Sequence, residues 1–406
     1  MLNGYLTNKS ASRIELAMVM FFITYYILPS LNYSLNFMIP LFLSFVYIAY
    51  VFVKDTKTAG AFVGFFISVF CLSVAYSVLT DTLTISSTVG FFGVKAFISK
   101  LSRYVLMFLP VLLSVRILKC ANHRQQTFLL SFTAILIGYV IFQTLQELAI
   151  NPYAIRQWEE FTELEDDNIG SYYFVYSIPI IIAIFAVCAE RFKGARKIIC
   201  LAAIVVLLYF LVKAQYTLAI LIAMIGLFVQ IIVSIKNGAM KIMLFFGAFV
   251  FMLFLPDLLL FVSNNVESTQ LAVRFRELYA FFGEGDATGY NLNGRLTLYK
   301  KSIIAFLHSP LYGNRQLDFD GHATCLTVLS DTGLIGAVPF YYLIFNSRLK
   351  IKTVLEENAA KFMPIFLCLM CMGFTNPIHS SKPLLISVWF IAPLAINVVF
   401  NKGDEV

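Results

Sequence analysis

The residues best equipped for chemistry lie close together in one stretch of the chain. Between about residues 263 and 325 the sequence places Arg274, Arg276, Arg295, Lys300, Lys301, Arg315 and His322, with Asp318 and Asp320 near its end. Arginine offers a forked, permanently charged donor set that matches phosphate oxygens. Histidine, with a near-neutral pKa, can take a proton from a group as it forms a bond. Taken singly, each residue has an ordinary explanation: a histidine at a loop–span junction is most often structural, and an arginine on a helix flank often anchors at the headgroup layer. Their order and their place in the topology carry the argument.

The elements around this stretch are set by composition. Of 406 residues, 60% are hydrophobic and 13% are charged, too apolar for a soluble domain of this length. The expected fold is an all-α polytopic membrane protein of about 12 spans of ~20 residues each, with one long external loop containing short amphipathic helices. Apolar runs lie near 14–30, 35–53, 59–79, 104–118, 126–149, 171–189, 198–212, 216–235, 242–262, 326–347, 362–376 and 384–400. This divides the chain into a membrane bundle over 1–262 with spans 1–9, a large external loop over 263–325, and spans 10–12 over 326–406. Met1 to Arg13 is polar and no small-residue cleavage site follows, so the first span is expected to remain as an anchor. The seven cysteines lie mostly in apolar runs and read as packing residues rather than disulfides or metal ligands.

The net charge of +7 reads as a topology signal rather than as a nucleic-acid surface. Alternate loops hold Lys9/Arg13, Lys54/Lys57, Lys119/Arg124, Arg191/Lys193/Arg196/Lys197, Lys236/Lys241 and Arg348/Lys350/Lys352, with Lys402 in the tail. By the positive-inside rule that side, with both termini, is cytoplasmic. The opposite short loops are poor in basic residues: 213–215 carries only Lys213 and 377–383 only Lys382. The segment 80–103 breaks the trend with Lys95, Lys100 and Arg103 outside, and is a candidate for an interfacial helix before the fourth span.

The loop 263–325 also escapes the rule, as long loops do, so its charges are free to serve function. Ser268 can cap a helix running through Tyr279, on which Arg274 and Arg276 stand roughly 160° apart. Arg274 lies nearer the apolar stripe of Leu271, Phe275, Leu278 and Phe282. After a Gly/Asn-rich break, a second amphipathic helix is expected from about Arg295 to His308, with Leu296, Ile303 and Leu307 as its buried stripe and Ser309-Pro310 as its stop.

The order Arg274, then Gly294-Arg295 with Tyr299, then Ser309-Pro310-Leu311-Tyr312-Gly313, then Gly321-His322, then Gly333-Leu334-Ile335-Gly336 resembles the O-antigen polymerase and ligase superfamily of bacterial polysaccharide-assembling membrane glycosyltransferases. The resemblance implies a protein of the bacterial inner membrane that transfers a saccharide from an undecaprenyl diphosphate carrier to a hydroxyl on the periplasmic face, without metal, cofactor or nucleotide sugar. On that footing His322 is the expected base for the attacking hydroxyl, and Arg295 is its catalytic companion, stabilising the leaving group. Arg274 and Lys213 are the expected diphosphate ligands, and Tyr299, Arg103 and Arg315 are further candidates for substrate contacts. The chain departs from the family pattern at Lys213-Ala214-Gln215, where Ser-Arg followed by a small residue is usual, and at Ala323, where Asn or Ser is common.

The short interval between Pro310 and Ala323 favours a polymerase, in which the hydroxyl of one lipid-linked repeat displaces the carrier from a growing chain. Its partners would be lipid-linked oligosaccharide and membrane lipid, with a chain-length regulator protein as a further candidate. A ligase acting on the lipid A core is the near alternative, and a lipid-oligosaccharide flippase the distant one. Transporters usually keep ionisable groups deep in their spans, whereas the clear cations here cluster outside.

Overall fold

Lipid offers a peptide group no hydrogen-bond partner, so each apolar run must close its own N–H and C=O groups within a helix. The structure, a computed structural model, describes residues 10–81, 92–151, 154–157, 168–265, 269–280, 291–314 and 323–401. Among the described residues every regular element is helical. In order these are α1 (Arg13–Ile27), α2 (Pro29–Ser34), α3 (Met38–Lys54), α4 (Thr56–Asp81), α5 (Phe92–Cys120), α6 (His123–Ile150), α7 (Ala154–Gln157), α8 (Tyr172–Val175) and α9 (Ile178–Arg191). They continue with α10 (Gly194–Ala214), α11 (Thr217–Ser234), α12 (Gly238–Asn265), α13 (Thr269–Tyr279), α14 (Asn291–His308), α15 (Thr324–Leu355), α16 (Met363–Thr375), α17 (Lys382–Ile386) and α18 (Ala392–Phe400).

Among the described residues, nine helical segments are long and apolar enough to cross a membrane, which agrees with an all-α polytopic membrane protein. The expected runs at 326–347 and 362–376 both fall inside one 52-residue segment, Thr324–Thr375. It is interrupted by Glu356, at φ 48°, and a tight helical turn over Glu356–Phe362. The run at 14–30 is shorter than expected, because Pro29 lacks an N–H and holds Leu28 extended, which ends α1 after 15 residues. The run at 35–53 becomes the 17-residue α3.

Two further expectations change. Residues 92–103 form the first turns of α5, continuous to Cys120, not a separate interfacial helix. Leu296, Ile303 and Leu307 of α14 face outward, with Leu307 66% exposed, while Ser302 and Ala305 are buried. An apolar stripe on a membrane protein can be satisfied by lipid, and its small residues then make the protein contact. In α13 Arg274 is half-buried and Arg276 exposed, as the helical angle between them requires. The cap expected from Ser268 lies outside the described residues.

The segment Lys382–Phe400, 89% buried, runs through the centre of the bundle, whereas α12, 6% buried, lies at its edge. Close approach of helices uses small residues. A Cβ on Gly226 would sit 2.6 Å from Cys368 Sγ, and one on Gly373 would sit 2.9 Å from Cys325 Sγ.

One end of the bundle is tied by ion pairs. Arg116 on α5 donates to Glu15 Oε1 of α1 at 2.9 Å and to Asp55 Oδ2 at 3.0 Å. Asn122 and Gln125 form a capping box on α6, and Gln125 also holds both backbone groups of Ala11. Near this end Glu190 pairs with Lys361.

The segment Ser309–Asn314 is latched to α15 by backbone hydrogen bonds. α15 breaks at Gly333, where φ is 54° and ψ −151°. The break frees groups that the loop satisfies: Asn314 N donates to Ser330 O at 2.7 Å, Leu334 N to Pro310 O at 2.8 Å, and Ile335 N to Leu311 O at 3.2 Å. The two backbones touch at glycines. A Cβ on Gly313, at φ 76°, would lie 2.5 Å from Ser330 O, and one on Gly333 would lie 2.5 Å from Leu311 C.

Candidate functional site

Thirteen residues before Arg116, a rise of about 20 Å along α5, Arg103 opens onto a cavity of about 300 Å³. α5 contributes Ser99, Ser102 and Arg103, α1 contributes Tyr25, and the turn between α16 and α17 contributes His379 and Lys382. The volume is at the lower limit of ordinary small-molecule sites.

The turn that carries His379 is built around Asn376, which ends α16 in an extended conformation. Its carbonyl accepts from Thr324 N at 3.2 Å and Thr324 Oγ1 at 3.3 Å, and its Oδ1 accepts from Tyr172 OH at 2.7 Å. One residue thus joins α16 to the first residue of α15 and to α8. Ser381 Oγ donates to Tyr173 O at 2.9 Å, and Pro383 sits in the first turn of α17. Held this way, the His379 ring sets Nδ1 3.0 Å from Thr324 Oγ1.

The electrostatics are one-sided. Arg103 is half-buried, and its guanidinium makes no hydrogen bond or ion pair with any described residue. Lys382 Nζ donates to Tyr25 OH at 2.7 Å and to Asn32 Oδ1, and stands 4.4 Å from the Tyr25 ring centre. Among the described residues no carboxylate lines the cavity. The half-buried His379 is held neutral: burial, then Arg103 and Lys100, push its pKa from 6.5 down to about 3. A cavity with two cations, hydroxyls and a neutral imidazole suits a ligand that combines anionic oxygens with hydroxyl groups.

The structure brings together only part of the set expected from sequence. Arg103 lines the cavity. Arg274 donates to Glu277 Oε2 at 2.7 Å within α13, and Tyr299 is half-buried on α14. Lys213 is exposed at the end of α10 with Nζ 5.7 Å from the Tyr209 ring centre, in the manner of an interfacial lysine. Position 295 belongs to α14, but its side chain, like all of Arg315 and His322, lies outside the described residues.

His379 and Lys382 were missed as site residues, although a signal existed. α5, α16 and α17 contain no Asp or Glu, so any cations where these helices meet have no acid from them. No family model matches the chain, and no curated protein matches it either.

Proposed function

We propose that the chain is a surface-polysaccharide polymerase of about twelve spans, with both termini cytoplasmic. It transfers a glycan from undecaprenyl diphosphate to the terminal hydroxyl of an incoming lipid-linked repeat on the outer face. The observation that carries the reading is the cavity in which Arg103 and Lys382 stand with no facing carboxylate among the described residues. Such a site stabilises the charge that grows on a diphosphate as the anomeric bond breaks. The ordered motifs from Arg274 to Gly336 support the same chemistry, and the latch at Gly313 and Gly333 supports a fixed return of the long loop to the bundle.

Gene deletion and complementation test the reading. A deletion strain should keep single repeats on its surface lipid and lose long chains, and Arg103→Ala should fail to restore them. Loss of every attached unit would mean a ligase. Accumulation of lipid-linked repeats on the cytoplasmic face would mean a flippase, and unchanged chain length would end the proposal.

A further inference from the structure

We propose that His379 is the proton acceptor of the transfer, and that the diphosphate bound beside it at Arg103 and Lys382 makes it one. This rests on the glycosyl-transfer reading and assigns to the α16–α17 turn the role that the sequence pattern implies for His322.

His379 shares the cavity with both cations, and Thr324 Oγ1 3.0 Å from Nδ1 fixes the ring. When the hydroxyl of Thr324 donates to Asn376 O, its oxygen accepts from Nδ1–H and leaves the lone pair on Nε2. The remaining polar side chains lining the cavity are neutral hydroxyls, from Tyr25, Ser99, Ser102 and Ser380. This suits a sugar hydroxyl held against a base.

In the step, the acceptor oxygen forms a bond to the anomeric carbon as the bond from that carbon to the diphosphate oxygen breaks. The electron pair of the broken bond stays on the diphosphate. The acceptor's proton passes to Nε2 and later to water.

Beside these cations the imidazole is a poor base, and the reason suggests its control. The turn packs against α5, α16 and α17, and it meets α15 at Thr324 and α8 at Tyr172 and Tyr173. The cations near His379 are Lys100, Arg103 and Lys382, on α5 and α17, and Tyr25 is the neutral phenol lining the same cavity; α5, α16 and α17 carry no acid, and the first acid of α15, Asp331, lies about two turns beyond Thr324. The field of the cations opposes a proton on the imidazole, in line with its depressed pKa. A diphosphate seated between Arg103 and Lys382 reverses the local charge and raises the proton affinity of the ring. The base is then competent with the carrier in place and silent without it.

Linkage supplies a readout independent of turnover. Farnesyl diphosphate can be titrated calorimetrically at pH 6 into the full-length protein in nanodiscs, in buffers of differing ionisation enthalpy. Wild type should take up protons on binding. His379→Gln should bind within about threefold of wild type without that uptake, and Arg103→Ala should bind at least tenfold more weakly. Lipid-linked repeats extracted from the deletion strain provide the turnover assay, in which His379→Gln should lower kcat by on the order of 10²–10³. Imidazole should partly rescue His379→Ala.

Proton uptake that persists in His379→Gln would overturn the proposal. So would near-wild-type turnover in that variant, which would leave polymerisation itself standing. A wild-type protein that binds the diphosphate but joins no repeats would overturn the glycosyl-transfer reading, and the proposal with it.

Discussion

Replacing Gly313 with alanine tests whether the latch holds the end of the long loop by backbone contact. At φ 76° an alanine stands in the left-handed region, which costs about 1–2 kcal/mol. Its Cβ would lie 2.5 Å from both Asp331 O and Ser330 O, and backbone atoms cannot yield as the end of a side chain can. The contact must open, which strains the Asn314 N to Ser330 O bond of 2.7 Å first and then the two bonds made by Leu334 and Ile335. One such bond left unmade away from water costs about 1–3 kcal/mol. The expected loss is thus about 3 kcal/mol or more.

Gly333→Ala should cost a similar amount, because φ 54° with ψ −151° is accessible essentially to glycine alone. Gly138→Ala is the control: no atom lies within 4 Å of its Cβ position in α6, and a helical glycine replaced by alanine gains about 0.5–1 kcal/mol. All seven cysteines are free and five are buried, including Cys325 in the first turn of α15, so a thiol-reactive dye reports unfolding in detergent directly. Gly313→Ala and Gly333→Ala should each lower the midpoint by several degrees, and the double variant should lose less than the two combined, since both open one latch. A Gly313→Ala midpoint equal to that of Gly138→Ala would refute the reasoning.

Arg116→Ala should destabilise the fold by about 3–5 kcal/mol in the same assay, because Glu15, 1% exposed, loses its counter-ion inside the protein. Stability should also fall as pH drops below 6.5. His379 binds its proton less readily in the folded state, at about 3, than when unfolded, so the folded form is increasingly disfavoured between those limits. The slope is at most about 1.4 kcal/mol per pH unit. His379→Gln should flatten the midpoint between pH 7 and 5. Asp55 does not intrude there: burial raises its pKa, but hydrogen bonds from Thr58 and Arg116 outweigh that and hold it below 3.8, so its contribution is lost only in stronger acid. Lys213→Ala should change polymer length little, because the ammonium stands over Tyr209 on an exposed helix end; loss of long chains in that variant would return Lys213 to the site.

Much of the architecture was legible because a helix in lipid leaves a simple trace, an apolar run ended by a polar or proline-bearing turn. The end of α14 at His308 could be read from such a local signal, Ser309-Pro310. What could not be read was which medium each apolar face meets. Leu296, Ile303 and Leu307 form a stripe whether a protein or a bilayer covers it, so the stripe was right and its partner wrong. The turn motifs behave alike: Ser309–Gly313 and Gly333 stood out by pattern, but in the structure they perform a backbone task.

The site was harder to read because Tyr25, Arg103 and Lys382 meet from opposite ends of a 406-residue chain, and no local window contains them. Yet one non-local signal was present. Lys95, Lys100, Arg103, Lys213 and Lys382 all fall on the side that the charge pattern assigns as poor in basic residues. A cation on that side works against the bias expected to orient the chain. Lys213 is one of these, but it reaches an aromatic ring on the exposed helix surface, where its stem is at home. The distinction between the two kinds of exception is geometric: Arg103 and Lys382 turn inward to a shared cavity, and Lys213 turns outward. Exceptions to the charge rule that converge in space are thus the feature by which a site of this kind can be sought in other helical membrane chains.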